Sequence, residues 1–206
     1  MADHSALSAG VEDFSWRSRL SALVTGRYAQ TEFPQESTVT ARTAAVLVLL
    51  TNGDHGIEVL LTQRASGMRN HAGLLSFPGG SRDVGDTDPT STALREAQEE
   101  VGLERASVQL LGLLPPVTDP KAKFVVVPVL AWSAGPVFSG VVSYGEVSAI
   151  RHIPIRDLAP GVDAVGSAGA SDEDTPSPTV GYMTTAIIDL VWALIRDSLP
   201  EPWSGS

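Results

Sequence analysis

Phe77-Pro-Gly-Gly80 followed by Arg95-Glu-Ala-Gln-Glu-Glu-Val-Gly-Leu103 is the pair of segments on which the fold turns. At 3.6 residues per turn, Glu96, Glu99 and Glu100 stand at i, i+3 and i+4 and share an arc of about 100° on one helix. Leu94, Ala97 and Val101 fall on the adjoining face, where they can pack on a sheet. The helix also carries its own punctuation. Asp88 can cap it, Pro89 suits its first position and Gly102 can end it, so the spacing predicts a helix over 89–101.

Three carboxylates on one arc repel one another by a few tenths of a kcal/mol per pair on an exposed helix. Two readings answer that cost. One is a solvated acidic face that Arg95 partly compensates. The other is a hard divalent cation, Mg2+ or Mn2+, held by carboxylate oxygens; without thiolates or paired histidines, such a donor set favours these ions over zinc. The segment before the helix weighs toward the second. Gly79-Gly80 ends a strand, lets the backbone approach a ligand closely and offers carbonyl oxygens. The loop it opens carries Asp83, Asp86 and Asp88 to a helix N-terminus, a place that favours anions. Together they describe a metal–phosphate pocket.

Outward from this centre, 44–50 (AAVLVLL) reads as a buried strand and 57–62 (IEVLLT) as its hairpin partner across a loop rich in turn formers. Further strands are expected at 73–77, 108–114, 124–130 and 147–153. Residues 184–199 read as a closing helix with apolar Ile187, Ile188, Val191, Leu194 and Ile195 at helical spacing. Before the domain, 1–10 reads as a tail, 11–24 as a short amphipathic helix and 34–38 as a connector. The organisation expected is an N-terminal tail and helix (1–36), one domain (37–200) containing a mobile loop at 159–178, and a C-terminal tail (201–206). The loop assignment rests on a stretch of small residues, proline and acids without a single basic residue.

The 206 residues suit one domain, and 43% hydrophobic content argues against a disordered chain. The longest unbroken apolar run, 44–50, is far short of the roughly 20 residues of a membrane helix. No basic-then-apolar leader opens the sequence, so no membrane association and a cytoplasmic location are expected. The absence of cysteine removes disulfides, thiolate metal sites and cysteine nucleophiles. With 14 basic residues against 24 acidic ones, the net charge is −10, which repels a nucleic-acid backbone. A chain so acidic can handle phosphorylated small molecules only through a few placed arginines or bound cations.

Residues 80–103 resemble the Nudix box, whose pattern is glycine, five residues, glutamate, seven residues, then R-E-U-x-E-E-x-G-U with U aliphatic or small. REAQEEVGL at 95–103 fits the second half throughout. The first half departs from it: Asp86 replaces the glutamate and eight residues separate it from Arg95, so Thr87 takes the place that a count back from Arg95 gives the acid. Residues 60–80, LLTQRASGMRNHAGLLSFPGG, are similar to a signature upstream of the box in coenzyme A pyrophosphatases of the superfamily, LLTxR[SA]xxxRxxxGxxxFPGG.

The resemblance implies a Nudix-type α/β/α sandwich with a mixed sheet. It implies divalent-metal-dependent hydrolysis of the diphosphate bond in coenzyme A or a derivative, giving 4′-phosphopantetheine and adenosine 3′,5′-bisphosphate. Glu96, Glu99, Glu100 and the Gly80 carbonyl would hold Mg2+ or Mn2+. Arg64, Arg69, Gly79 and Gly80 would meet the substrate, the arginines through forks that match phosphate oxygens. Arg95 would orient a neighbouring glutamate. The base would be Glu99 or an acid from another element, with Glu146 of Tyr144-Gly-Glu-Val147 resembling an acidic element downstream in the family. His71 reads more readily as a loop residue than as a base, and Met68, Leu74 and Leu75 as core or a pantetheine slot. Two rivals stand beside this: a Nudix hydrolase of another nucleoside diphosphate derivative such as ADP-ribose, and a Nudix-fold protein that binds a nucleotide without turnover. The partner is a small molecule, with a possible homodimer as the self-association considered.

Overall fold

The computed structural model describes residues 5–28, 32–33, 42–53, 56–67, 73–119, 124–135, 140–158 and 180–198, with side chains described from Trp16 onward. Its frame is a mixed sheet built around β1 (Arg42–Gly53). Along one side of β1, β7 (Phe124–Ser133) pairs in parallel from Arg42↔Phe124 to Thr51↔Ser133. Along the other side, two strands share the edge. β2 (Gly56–Arg64) forms the expected hairpin with the end of β1, and β4 (Gly79–Ser81) pairs antiparallel with Ala44, Ala45 and Val46. On its other edge β2 pairs with β8 (Val147–Pro154) from Glu58 to Arg64, and beyond the hairpin, at Thr62 and Gln63, it pairs with β3 (Leu75–Ser76). β5 (Gln109–Leu113) and β6 (Val117–Asp119) both pair antiparallel with β7.

Alternation along β1 explains the layers. Ala44, Val48 and Leu50 enter a cluster with Trp16, Leu20 and Val24 of α1 (Ser5–Tyr28) and Ile187, Ile188, Val191, Leu194 and Ile195 of α3 (Tyr182–Ser198). Ala45, Leu47 and Leu49 enter a second cluster, with Ala93, Ala97 and Val101 of α2 (Pro89–Val101). A strand buried on both faces reads as a continuous apolar run. The sheet lies between helical layers, which is the α/β/α sandwich expected. Trp16 meets Trp132 of β7 edge to face at 5.1 Å and ties α1 to the sheet.

Several boundaries differ from the sequence reading. The first helix runs from Ser5 to Tyr28, so most of the expected tail at 1–10 is helical. The strand expected over 73–77 pairs only at Leu75–Ser76, and β4 and β6 were not anticipated. The connector at 34–38, the loop at 159–178, the tail at 201–206 and residues Met68, Arg69 and His71 lie outside the described residues.

Candidate functional site

α2 is fixed at both ends by its own sequence. Asp88 accepts the Ser91 N–H at 2.8 Å while the Ser91 hydroxyl accepts the Asp88 N–H at 3.1 Å, a reciprocal capping box. Gly102 closes the helix in the left-handed region, φ 66° and ψ 39°. Alanines at 93 and 97, both fully buried, let the helix axis come close to the sheet. That approach brings Glu96 and Glu100 onto β4.

Glycine is required on the β4 side. A Cβ on Gly79 would overlap the Ala45 carbonyl oxygen and stand 2.6 Å from Val46 Cα, because β4 is pressed against β1 there. A Cβ on Gly80 would stand 2.5 Å from Glu96 Oε1. The second glycine therefore leaves room for a carboxylate rather than for a turn.

The three glutamates sit in different environments. Glu100 is 5% exposed, and its carboxylate accepts the Gly79 N–H at 3.3 Å. Burial pushes its carboxyl up to about 8, helped by the charges of Glu96 and Glu146 and opposed by the Gly79 hydrogen bond and the charge of Arg64. Glu96 is half-buried, and desolvation raises its carboxyl too, against the pull of Arg95. Glu99 is exposed and pairs with Arg95 Nη1 at 3.1 Å.

Arg95 is the hub. Its Nε donates to Asp86 Oδ1 at 3.2 Å and its Nη2 to Asp86 Oδ2 at 3.0 Å, a two-point fork. Nη2 also reaches the Ser81 carbonyl at 3.1 Å and Glu96 Oε1 at 3.0 Å. Asp86, 6% exposed, takes the Asp83 N–H and the Thr92 hydroxyl as well, each at 2.9 Å. The Arg95 guanidinium leads these contacts in pulling the Asp86 carboxyl down to about 2. The acid one step out of register with the box thus sits against Arg95.

The turn before β8 closes onto the same place. Val142 N–H and Ser143 N–H both donate to the Glu100 carbonyl, at 2.9 and 3.4 Å, and Ala65 N–H donates to the Glu146 carbonyl at 2.8 Å. Glu146 is exposed, near enough for its charge to act on both Glu96 and Glu100. Arg64, at the end of β2, acts on Glu100, and its Nε is buried without a hydrogen-bond partner among the described residues. Gly79, Gly80, Arg64, Arg95, Glu96, Glu99, Glu100 and Glu146 are therefore brought around one end of α2, while Leu75 is a core residue. The sequence reading missed Thr92 and the Ser81 carbonyl. The sequence signal for Thr92 is its place four residues before Glu96, on the same helix stripe; its full burial shows only in the structure.

The NUDIX domain, as a family, matches residues 41–170. The chain belongs to the Nudix family. Among curated Nudix relatives, the "Uncharacterized Nudix hydrolase NudL" of Salmonella paratyphi B is 42% identical over 126 residues, covering 57% of this chain and 60% of that protein. The same figures hold for the protein of that name from Salmonella newport. The matched region thus spans about three fifths of the length of these relatives. Solved Nudix structures share the fold. The NUDIX domain of Shewanella oneidensis NrtR, in complex with ADP ribose, superposes with a TM-score of 0.53 at 19% identity, covering 84% of this chain and 96% of that one. A NUDIX hydrolase from Alicyclobacillus acidocaldarius gives 0.52 at 22% identity, covering 77% and 93%.

Nudix hydrolases generally use divalent metal ions. The donor chemistry of this Nudix chain fits such an ion: carboxylate oxygens at 96, 99 and 100, a cradle at Gly80 that a Cβ would fill, and a buried Glu100 crowded by like charges. Among the described residues, no three acidic or histidine side chains stand close enough to ligate one ion together. Glu96 and Glu99 are drawn to Arg95 instead. No helix among the described residues is long and apolar enough to cross a membrane.

Proposed function

We propose that the protein hydrolyses the diphosphate bond of a nucleoside diphosphate derivative with the help of Mg2+ or Mn2+. Within that class, we propose coenzyme A or a derivative, cleaved to 4′-phosphopantetheine and adenosine 3′,5′-bisphosphate. The observation that carries the reaction class is the buried, charge-crowded Glu100 beside Glu96 and the Gly79-Gly80 strand, on a chain of the Nudix family. The observation that carries the substrate is the full match of residues 60–80 to the upstream signature.

A bound cation would neutralise diphosphate oxygens and acidify the attacking water. Glu96, Glu99, Glu100 and the Gly80 carbonyl would hold it. The chain's own groups supply the rest. Arg95, pinned by Asp86, fixes the directions of Glu96 and Glu99. Arg64 presents a guanidinium whose buried Nε has no competing protein acceptor among the described residues, suited to a phosphate oxygen. Arg69 would act with it from the same signature. The proton of the attacking water goes to a carboxylate, Glu146 or Glu99; Glu146 has the advantage of approaching from another element, apart from Arg95. An acidic protein can bind an anionic substrate in this way because its negative charge is spent on the cations.

Initial rates on coenzyme A and ADP-ribose, measured side by side with Mg2+ and with Mn2+, test the proposal. A preference for coenzyme A supports it, and a preference for ADP-ribose replaces the substrate while keeping the reaction. Tight binding of either compound without turnover overturns the enzyme reading.

A further inference from the structure

We propose that Thr92 is a positioning residue for the α2 carboxylates, acting through Asp86 and Arg95. The inference rests on the reading that these carboxylates hold a divalent cation. Thr92 has no exposed surface, and a buried hydroxyl in a helix ordinarily returns its proton to the carbonyl four residues back. Here that contact, to Asp88, is long at 3.5 Å, and the short one, 2.9 Å, goes to Asp86 Oδ2. The hydroxyl is directed at a side chain rather than at its own helix.

The consequence follows from torsions. The carboxylate of an aspartate turns about a broad, weakly staggered χ2. The Thr92 hydroxyl and the Asp83 N–H together fix that plane at Oδ2, leaving Oδ1 and the remaining face of Oδ2 to receive Arg95 Nε and Nη2. Arg95 reaches its partners on a long, flexible stem, so the far end is oriented only by what it binds. Fixed on Asp86, it presents Nη1 to Glu99 and Nη2 to Glu96. One uninterrupted chain of contacts therefore runs from a hydroxyl that touches no ligand to two of the carboxylates assigned to the cation. Removing a group that touches a metal ligand typically changes affinity or rate by about 10–100-fold; here that group is Arg95, and Thr92 stands two contacts behind it, so a smaller effect is expected.

If Thr92 only fills space, Thr92→Val, which keeps the shape and loses the hydroxyl, leaves the site intact. The experiment measures Mn2+ affinity by electron paramagnetic resonance, with no substrate present, in the wild type, Thr92→Val, Thr92→Ser, Asp86→Asn and Glu96→Gln. Melting temperature is followed in parallel, and kcat and KM are measured on coenzyme A at saturating Mn2+. The expected result is Mn2+ binding weakened about threefold, below the range for a group touching the ligands themselves, and lower kcat in Thr92→Val, with KM for the substrate unchanged, and recovery of both in Thr92→Ser. Should Thr92→Val not fold, Thr92→Ala takes its place under the same criteria; wild-type Mn2+ binding in Asp86→Asn overturns the inference, because Thr92 acts through that carboxylate. Wild-type Mn2+ affinity in Thr92→Val, even with a lowered melting temperature, overturns the inference, as does a Thr92→Ser as impaired as the valine variant. Loss of Mn2+ binding in Glu96→Gln alongside either result leaves the cation site standing; no difference between Glu96→Gln and the wild type overturns the cation reading itself.

Discussion

Glu100→Gln separates the two roles of a buried carboxylate, a cost to folding and a ligand. The side chain is 5% exposed, and its carboxyl is raised from 4.5 to about 8, chiefly by desolvation. A folded-state value above the unfolded one means that stability is fully present below about 4.5 and is lost as pH rises toward 8, because the unfolded chain releases its proton first. At 1.36 kcal/mol per unit, the loss reaches about 4 kcal/mol by pH 8. Glutamine has nearly the same shape, can still accept the Gly79 N–H and carries no such pH dependence. For a chain of this size, a change of 1 kcal/mol moves the melting temperature by about 2–4 °C. With metal removed by chelator, the variant should therefore melt about 10 °C above the wild type at pH 8, and the two should converge near pH 4.5. Thermal unfolding followed by circular dichroism across this range is the assay. Added Mn2+ should stabilise the wild type and not the variant, and the variant should lose turnover by orders of magnitude. A constant separation between the two melting curves from pH 4.5 to 8 would refute the assignment of Glu100 as a buried, electrostatically strained acid.

Asp86→Asn removes the opposite case, a carboxyl held down at about 2 by Arg95, so its contribution is present above about 3.8 and fades as pH falls toward 2. Urea unfolding should show a deficit of about 2 kcal/mol at pH 7 that narrows below pH 4. Asp88→Ala should lose only the α2 cap, lowering stability by about 1 kcal/mol with the rate per folded molecule unchanged, as unfolding curves and kinetics together would show. Gly80→Ala should keep the fold by circular dichroism yet lose activity and Mn2+ affinity, since the new methyl enters the space of the Glu96 carboxylate.

What the sequence made legible follows from where each signal is stored. α2 could be bounded to the residue because Asp88, Pro89 and Gly102 are local chemistry that acts before any tertiary contact. β1 was plain because burial on both faces leaves an unbroken apolar run. β4 was hidden: Gly79-Gly80-Ser81 has no strand preference, and it is a strand only because β1 offers it an edge where β2 has turned away. The first helix begins earlier than the apolar spacing predicts, since the residues before Val11 carry few apolar side chains to mark it. Within the site, the helical arc of Glu96, Glu99 and Glu100 was legible, but their unequal burial was not, because it depends on how closely Ala93 and Ala97 let α2 approach the sheet. Asp86 stood one step out of the box's register. Its partnership with Arg95 depends on a loop conformation set by the Asp83 N–H and by Thr92, which spacing alone does not encode.

On the function proposed above, the negative charge gathered on α2 holds divalent cations against a diphosphate. Anomalous scattering from a crystal saturated with Mn2+ decides whether it does. A manganese peak is expected, bounded by carboxylate oxygens of Glu96 and Glu100 and by the Gly80 carbonyl, with Glu99 at its rim. A fully saturated crystal with no peak there, or with manganese only elsewhere on the acidic surface, would rule the cation site out.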